Sequence, residues 1–241
     1  MQIPKTLLAL FLLGGLGSIA FAQGPPDAQC SVHEFFHDTW AEASQSGHGL
    51  KAIPRGVVRP GNLKWELPIL AATGILIAKA DLPAENRIQS QSLQQTAGLW
   101  SNVGLGLEIG SGALTYGTGC GKHRSYLRDT GFRALAAMGA AGTEDLVLKL
   151  AFDRQFPSTP GSTGRFRGGG RSFPSGHSAT SFAFAALVAH RYPHNKWIKW
   201  SAYALATGVA VSRYPAKKHY PSDILMGATL GYVTGTYLAE H

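Results

Sequence analysis

The sequence predicts an all-α protein, a bundle of about five to seven helices forming one domain over residues 61–241. Three observations carry that prediction. Apolar residues recur at helical spacing in several segments, and no segment shows the apolar-polar alternation of a half-buried strand. Only 15% of the residues are charged, below the roughly 25% of an ordinary soluble domain, while 30 are glycine, so packing surfaces should be close and apolar. Finally, 241 residues with 44% hydrophobic content support one well-buried core.

In chain order, the first element is "MQIPKTLLALFLLGGLGSIAFAQGPP". Lys5, an apolar stretch from Leu7 to Ala20 and Ala-Phe-Ala ending at Ala22 predict a cleavable export signal over 1–22, with the mature chain starting at Gln23. The destination is then periplasmic or secreted, with membrane association as the alternative. Residues 23–60 mix Gly, Pro, Ser and His and form an N-terminal arm with one short helix around "VHEFFHDTWAEA". Export would place Cys30 and Cys120 in an oxidising compartment, where they can pair.

The segment 63–79, "LKWELPILAATGILIAK", is an apolar helix that "DLPAEN" breaks. Ile88 to about Tyr116 supplies one or two helices rich in small residues, and "GTGCGKHRSYLRD" a loop. Thr130 is placed to cap the next helix, which runs to Phe152 with Lys149 in its last turns. "PSTPGSTGRFRGGGRSF" has no periodicity and is a loop, after which "SGHSATSFAFAALVAHRY" resumes a helix that stops before Pro193. Asn195 caps the following helix, and Pro221 opens the last one, a favoured first-turn position. In that helix Gly227, Gly231 and Gly235 share one face, which lets a neighbour approach closely. The uncharged run from Ile224 to Ala239 is 16 residues, short of the 18 or more that would argue a membrane span. Buried helices are expected, with shallow membrane embedding as the rival.

The net charge of +8 favours anionic partners: phosphate esters, acidic lipids or nucleic acid. Nucleic acid is disfavoured, because the basic residues lie scattered through apolar segments and form no stripe. Three stretches gather the polar chemistry at helix ends: "KLAFDRQFP" from Lys149, "SFPSGHS" from Ser172 and "SRYPAKKHYPSD" from Ser212. Ser175, Gly176 and His177 begin a helix, whose free N–H groups and positive dipole end suit a phosphate. Arg213 offers a planar guanidinium that matches two phosphate oxygens. Asp223, four residues after His219, can accept a hydrogen bond from the imidazole and fix its tautomer.

In this order and spacing, the three stretches resemble the type 2 phosphatidic acid phosphatase superfamily, which also holds bacterial class A acid phosphatases and vanadium haloperoxidases. Its pattern is Lys, six residues, Arg-Pro; then Pro-Ser-Gly-His; then Ser-Arg, five residues, His, three residues, Asp. Pro174-Ser175-Gly176-His177 matches fully, as does Ser212-Arg213 with His219 and Asp223. The first element departs, because Phe156-Pro157 follows Lys149 where Arg-Pro is expected. The resemblance covers roughly residues 130–240 and implies a helical bundle and a phosphatase acting on soluble esters or lipid phosphates. It implies that His219 attacks phosphorus to give a phosphohistidine, that Asp223 supports its ring, and that His177 protonates the leaving alkoxide and later activates water. Lys149, Ser175, Gly176 and Arg213 would cradle the phosphate. Arg154, or Arg165, Arg167 or Arg171 in the loop, would supply the cation that Phe156 does not. No metal or other cofactor is required, and vanadate should act as an inhibitor.

Two other functions fit parts of the pattern. A vanadate-dependent haloperoxidase would use the same cradle with vanadate as cofactor, but such enzymes are usually much longer and Phe156 takes the place of a cation that vanadate would want. A non-catalytic module binding anions or a membrane surface would keep the charge and the basic loop. Two rival motifs lack residues they need. "HEFFH", His33 to His37, has the paired-histidine spacing of a zinc helix but lacks the glycine and third histidine of the extended pattern. "GTGCGKH" has Tyr116 in place of the first glycine of a nucleotide loop and His123 in place of its Ser or Thr.

Overall fold

The structure, a computed structural model, describes residues 63–240. The expected export signal, the N-terminal arm, the His33 to His37 pair and Cys30 lie outside the described residues. Cys120 is disulfide-bonded. Seven helices and no strand occur among the described residues: α1 Leu63–Lys79, α2 Asp81–Glu85, α3 Gln91–Gly121, α4 Ser125–Phe152, α5 Gly176–Arg191, α6 Lys196–Ser212 and α7 Pro221–Glu240. None is long and apolar enough to cross a membrane.

Local chemistry sets most of the boundaries. The Ser90 hydroxyl accepts from Leu93 N–H to start α3, Ser175 caps α5, and Asn195 accepts from the N–H groups of Trp197 and Ile198 to start α6. Helix α4 ends because Asp153 takes the left-handed conformation at φ 45°, its N–H closing on the Lys149 carbonyl.

Two expectations need correction. "DLPAEN" does more than break α1, since it forms the single turn α2. The loop expected around "GTGCGKHRSYLRD" shrinks to residues 122–124, and α4 starts at Ser125, before Thr130. Thr130 is therefore inside the helix, where its hydroxyl donates to the Tyr126 carbonyl and accepts from Arg191 Nε. A threonine with a partner on another helix does not need a helix end.

Helix α5 is the centre of the bundle, flanked by α4, α6 and α7, with α3 across α4 and α6, and α1 against α7. Its core positions are small: Ala179, Ala183, Ala185 and Ala186 are fully buried, as are Ala137 and Ala141 of α4 and Ala206 of α6. Small side chains bring backbones together. A Cβ on Gly227, Gly231 or Gly235 of α7 would stand 2.4, 2.0 or 2.2 Å from the carbonyl oxygen of Ser175, Ala179 or Ala183 on α5. The glycine face thus lies on the helix that carries the Pro-Ser-Gly-His motif.

This packing distinguishes glycines that look equivalent in sequence. Gly231→Ala should destabilise the protein by about 1–3 kcal/mol, because the clash is with backbone that cannot yield. Gly208→Ala in α6, where nothing lies within 4 Å of the new methyl, should stabilise it by roughly 0.5–1 kcal/mol. Chemical denaturation of both variants beside the parent checks the opposite signs.

Candidate active site

Four chain segments converge at one end of the bundle: the C-terminus of α4, the N-termini of α5 and α7, and the C-terminus of α6. The Ser175 N–H donates to the Asp223 carbonyl at 2.9 Å, locking the start of α5 to the start of α7. Arg213 caps α6, and its carbonyl accepts from the N–H groups of Lys218 and His219, so the chain doubles back and returns His219 to Arg213.

His219 is buried. Its Nδ1 lies 2.7 Å from the Ser172 carbonyl and 3.7 Å from Asp223 Oδ2. Since a carbonyl only accepts, Nδ1 carries the proton and the lone pair of the neutral ring sits on Nε2. The tautomer is thus fixed by Ser172, and the direct bond expected from Asp223 is absent, 3.7 Å being beyond hydrogen-bond length. Asp223 is committed elsewhere: Oδ2 accepts from Ser172 Oγ at 2.5 Å and from Tyr220 N–H at 2.9 Å, and Oδ1 accepts from Arg154 Nη1 at 2.5 Å. Its carboxylate acts on the imidazole through space. Burial pushes His219 below the ordinary histidine range, with Asp223 opposing the shift and Lys149 and Arg213 adding to it.

Arg154 does not take the place of the family's phosphate-binding arginine. It is 1% exposed and spends its guanidinium on Asp223, on Asp81 at 2.8 Å, on Ser222 Oγ at 2.7 Å and on the Gly164 carbonyl at 3.0 Å, between the rings of Phe166 and Tyr220. Two carboxylates draw it behind His219. Arg165, Arg167 and Arg171 are exposed on the loop. Phe156, where the pattern has arginine, stands beside the nucleophile candidate, its ring centroid 6.3 Å from that of His219.

Lys149 donates to Asp145 Oδ1 at 2.7 Å and to the Pro174 carbonyl, which ties α4 to the turn before α5. Burial lowers its pKa, against the pull of Asp145. Burial also pushes Asp145 up to about 6. A Cβ on Gly176 would meet Asp145 Oδ2 at 2.7 Å, so glycine is required here for this carboxylate to approach. Ser175 is fully buried, and its Oγ accepts from Ser178 Oγ at 2.9 Å and from Ser178 N–H as the cap of α5. The first N–H groups of α5 have no acceptor within the helix and carry its positive dipole end.

Arg213 differs from the other cations. Nη1 donates to Ser101 Oγ at 2.7 Å, but Nε is buried without a hydrogen-bond partner, and burial lowers the guanidinium pKa to about 10. His177 is half-buried, with Nε2 3.0 Å from Asn102 Oδ1. Burial, then Arg213, His219 and Lys149, press its pKa down to about 4. An anion placed among these groups would favour the charged form of each.

Residues 130–240 match the sequence profile of the PAP2 superfamily. Over that segment this chain is similar to the PAP2 superfamily. A stretch of 78 residues is 38% identical to the lipid A 1-phosphatase of Porphyromonas gingivalis, and it makes up 31% of this chain and 18% of that relative's length. The fold is similar to that of a transmembrane PAP2-type phosphatidylglycerolphosphate phosphatase from Bacillus subtilis, with a TM-score of 0.56, 22% identity, and coverage of 74% of this chain and 93% of that one.

The structure thus gathers Lys149, Ser175, Gly176, His177, Arg213, His219 and Asp223 as the sequence implied, and turns Arg154 to the rear. Sequence reasoning passed over Asp81, Ser101, Asn102, Asp145 and Ser172. Only Ser172 had a signal, as the first residue of the quoted "SFPSGHS"; the others lie on helices whose facing could not be read. Two measurements test the geometry. Arg213→Gln should weaken binding of inorganic phosphate by about tenfold to a hundredfold in calorimetric titration, the worth of bonds to a charged group. Asn102→Asp should raise the His177 pKa by about one unit, because a carboxylate at that oxygen favours the imidazolium, as followed by NMR of the ring carbons.

Proposed function

We propose that this protein is a phosphomonoesterase that hydrolyses lipid phosphate esters at a membrane surface through a phosphohistidine on His219. The observation that carries this reading is the buried, unpartnered Arg213 Nε among Lys149, His177 and the N-terminus of α5. Buried donors are almost always paired, so such a group in a positive pocket calls for an anion.

In the first step the Nε2 lone pair of His219 attacks phosphorus in line, the P–N bond forms and the ester P–O bond breaks. Protonated His177 gives its proton to the departing alkoxide. In the second step His177 takes a proton from water, the water oxygen attacks phosphorus, and the P–N bond breaks to release inorganic phosphate and restore both histidines. Arg213, Lys149 and the first N–H groups of α5 stabilise the equatorial oxygens in both steps. Burial and the neighbouring cations hold the pKa of His177 near 4, and the negative charge of a phosphate dianion opposes them, so the acid is charged by the substrate it serves.

Lipid as the substrate class is supported by the outer surface. Large apolar side chains are exposed on α3 and α6, including Trp100, Leu107, Leu114 at 72% exposure and Trp197 at 78%. Trp197 and Trp200 pair with the ammonium groups of Lys196 and Lys199, an arrangement suited to an anionic lipid surface. Both relatives are named for lipid phosphates. Phe156 fits the same reading, since it puts an apolar wall at the nucleophile where the pattern has a cation.

The test is phosphate release from phosphatidic acid in mixed micelles and from p-nitrophenyl phosphate, by the parent and by His219→Ala. The parent should turn over both, with the higher kcat/KM for the lipid, and the variant should lose at least about a thousandfold. Vanadate should inhibit as a mimic of the pentacoordinate phosphorus. Halide oxidation with added vanadate would favour the haloperoxidase, and phosphate binding by a folded parent without turnover would favour the binding module.

A further inference from the structure

Helix α2 lies outside the segment that matches the superfamily, and the reaction scheme above does not use it. Its first residue is nevertheless 1% exposed and fully engaged. Asp81 Oδ2 accepts from Arg154 Nη2 at 2.8 Å and from Ser222 Oγ at 2.5 Å, and Oδ1 accepts from Ser222 N–H at 3.1 Å. Arg154 extends its other terminal nitrogen to Asp223 Oδ1 at 2.5 Å. A single guanidinium is thus shared between a carboxylate outside the reaction scheme and the carboxylate behind His219.

The charges decide what this sharing does. Arg154 with Asp223 alone would make a neutral pair, and the guanidinium could draw that carboxylate away from the imidazole. With Asp81 added, two carboxylates share one cation, and the cluster keeps one net negative charge. That charge matters at His219, because phosphorylation at Nε2 with Nδ1 still protonated makes the ring cationic. Lys149 and Arg213 oppose this positive charge, as does burial.

We propose that Asp81 is a positioning residue of the active site, holding Asp223 behind His219 through Arg154 and leaving the buried cluster one net negative charge. The proposal rests on the phosphohistidine reading for its catalytic consequence, while its electrostatic part can be measured without turnover. Asp81 acts through Arg154 and touches no substrate. Its contacts with Ser222 also fix the first turn of α7, from which Asp223 projects.

The experiment uses the full chain with Asp81→Asn, which keeps an oxygen acceptor and removes the charge, and with Asp81→Ala. Because breaking a buried ion pair can unfold a protein, thermal melts select which variants are carried on, and the asparagine variant is the more conservative. The groups facing His219 are Asp223, Lys149, Arg213 and His177, and neither substitution removes any of them. Removing the negative charge should lower the His219 pKa by roughly half a unit to one unit, read by NMR titration of the labelled ring without substrate. In kinetics the acidic limb of kcat/KM should move down in pH by the same amount. The drop in kcat should be about tenfold, with KM little changed. If Asp81 merely holds α2 in place, the His219 titration will be the same in both proteins and the pH profile will keep its shape at lower height, which overturns the proposal. A parent without turnover but with the expected NMR shift would sink the phosphatase reading and leave the electrostatic role of Asp81 standing.

Discussion

The close approach of α7 to α5 is the constraint on which the rest of the site depends. Gly227, Gly231 and Gly235 let carbonyl oxygens of α5 sit where methyl groups would otherwise stand, so the two helices run with their backbones in contact. Both begin at the same end of the bundle, which brings two positive dipole ends together and allows Ser175 N–H to bond the Asp223 carbonyl. From that junction, Lys149 is tied in through Pro174, and Arg213 is tied in through the turn that returns to His219. A wider spacing between α5 and α7 would separate the two histidines whatever their side chains did locally.

The second organising feature is how the protein handles buried charge. Away from the site, burial pushes the carboxyls of Glu108 and Glu144 up to about 7, and each accepts from a hydroxyl, that of Ser181 and Thr234 respectively. Those within the site are paired instead, Asp145 with Lys149 and both Asp81 and Asp223 with Arg154. The guanidinium of Arg213 keeps a buried donor uncommitted. The site therefore has a rear whose charges are paired with one another, two carboxylates to one guanidinium, and a front with capacity for an anion. Segregation of this kind is what electrostatic preorganisation requires, since the front need not rearrange when negative charge arrives.

The departure from the superfamily pattern at Phe156 and the placement of Arg154 are connected by the same geometry. Phe156 leaves the front one cation short, and Arg154, two residues earlier, cannot make up for it because two carboxylates hold it at the rear. The front is left with fewer fixed charges and an apolar wall beside His219. An apolar wall there is in keeping with the lipid phosphate substrate proposed above, as are the apolar side chains exposed on the outer helices.

Much of this was legible in the sequence because it is local. Helical periodicity and capping residues such as Ser175, Asn195 and Pro221 act within a turn or two, so the helical class and most boundaries followed from the chain. The motif spacing likewise placed Lys149, His177, Arg213, His219 and Asp223 at helix ends, and the glycine face of α7 announced a close neighbour. Tertiary structure alone decided which partner each of these groups meets. Arg154 turned from the phosphate to Asp223, and Asp223 left the hydrogen bond with His219 to Ser172. Asp81 and Asn102, dozens of residues away from the motifs, became neighbours of the site. The reason is physical: a side chain's preference for helix or turn depends on its neighbours along the chain. The pairing of buried charges depends on which groups the packed helices exclude from water together.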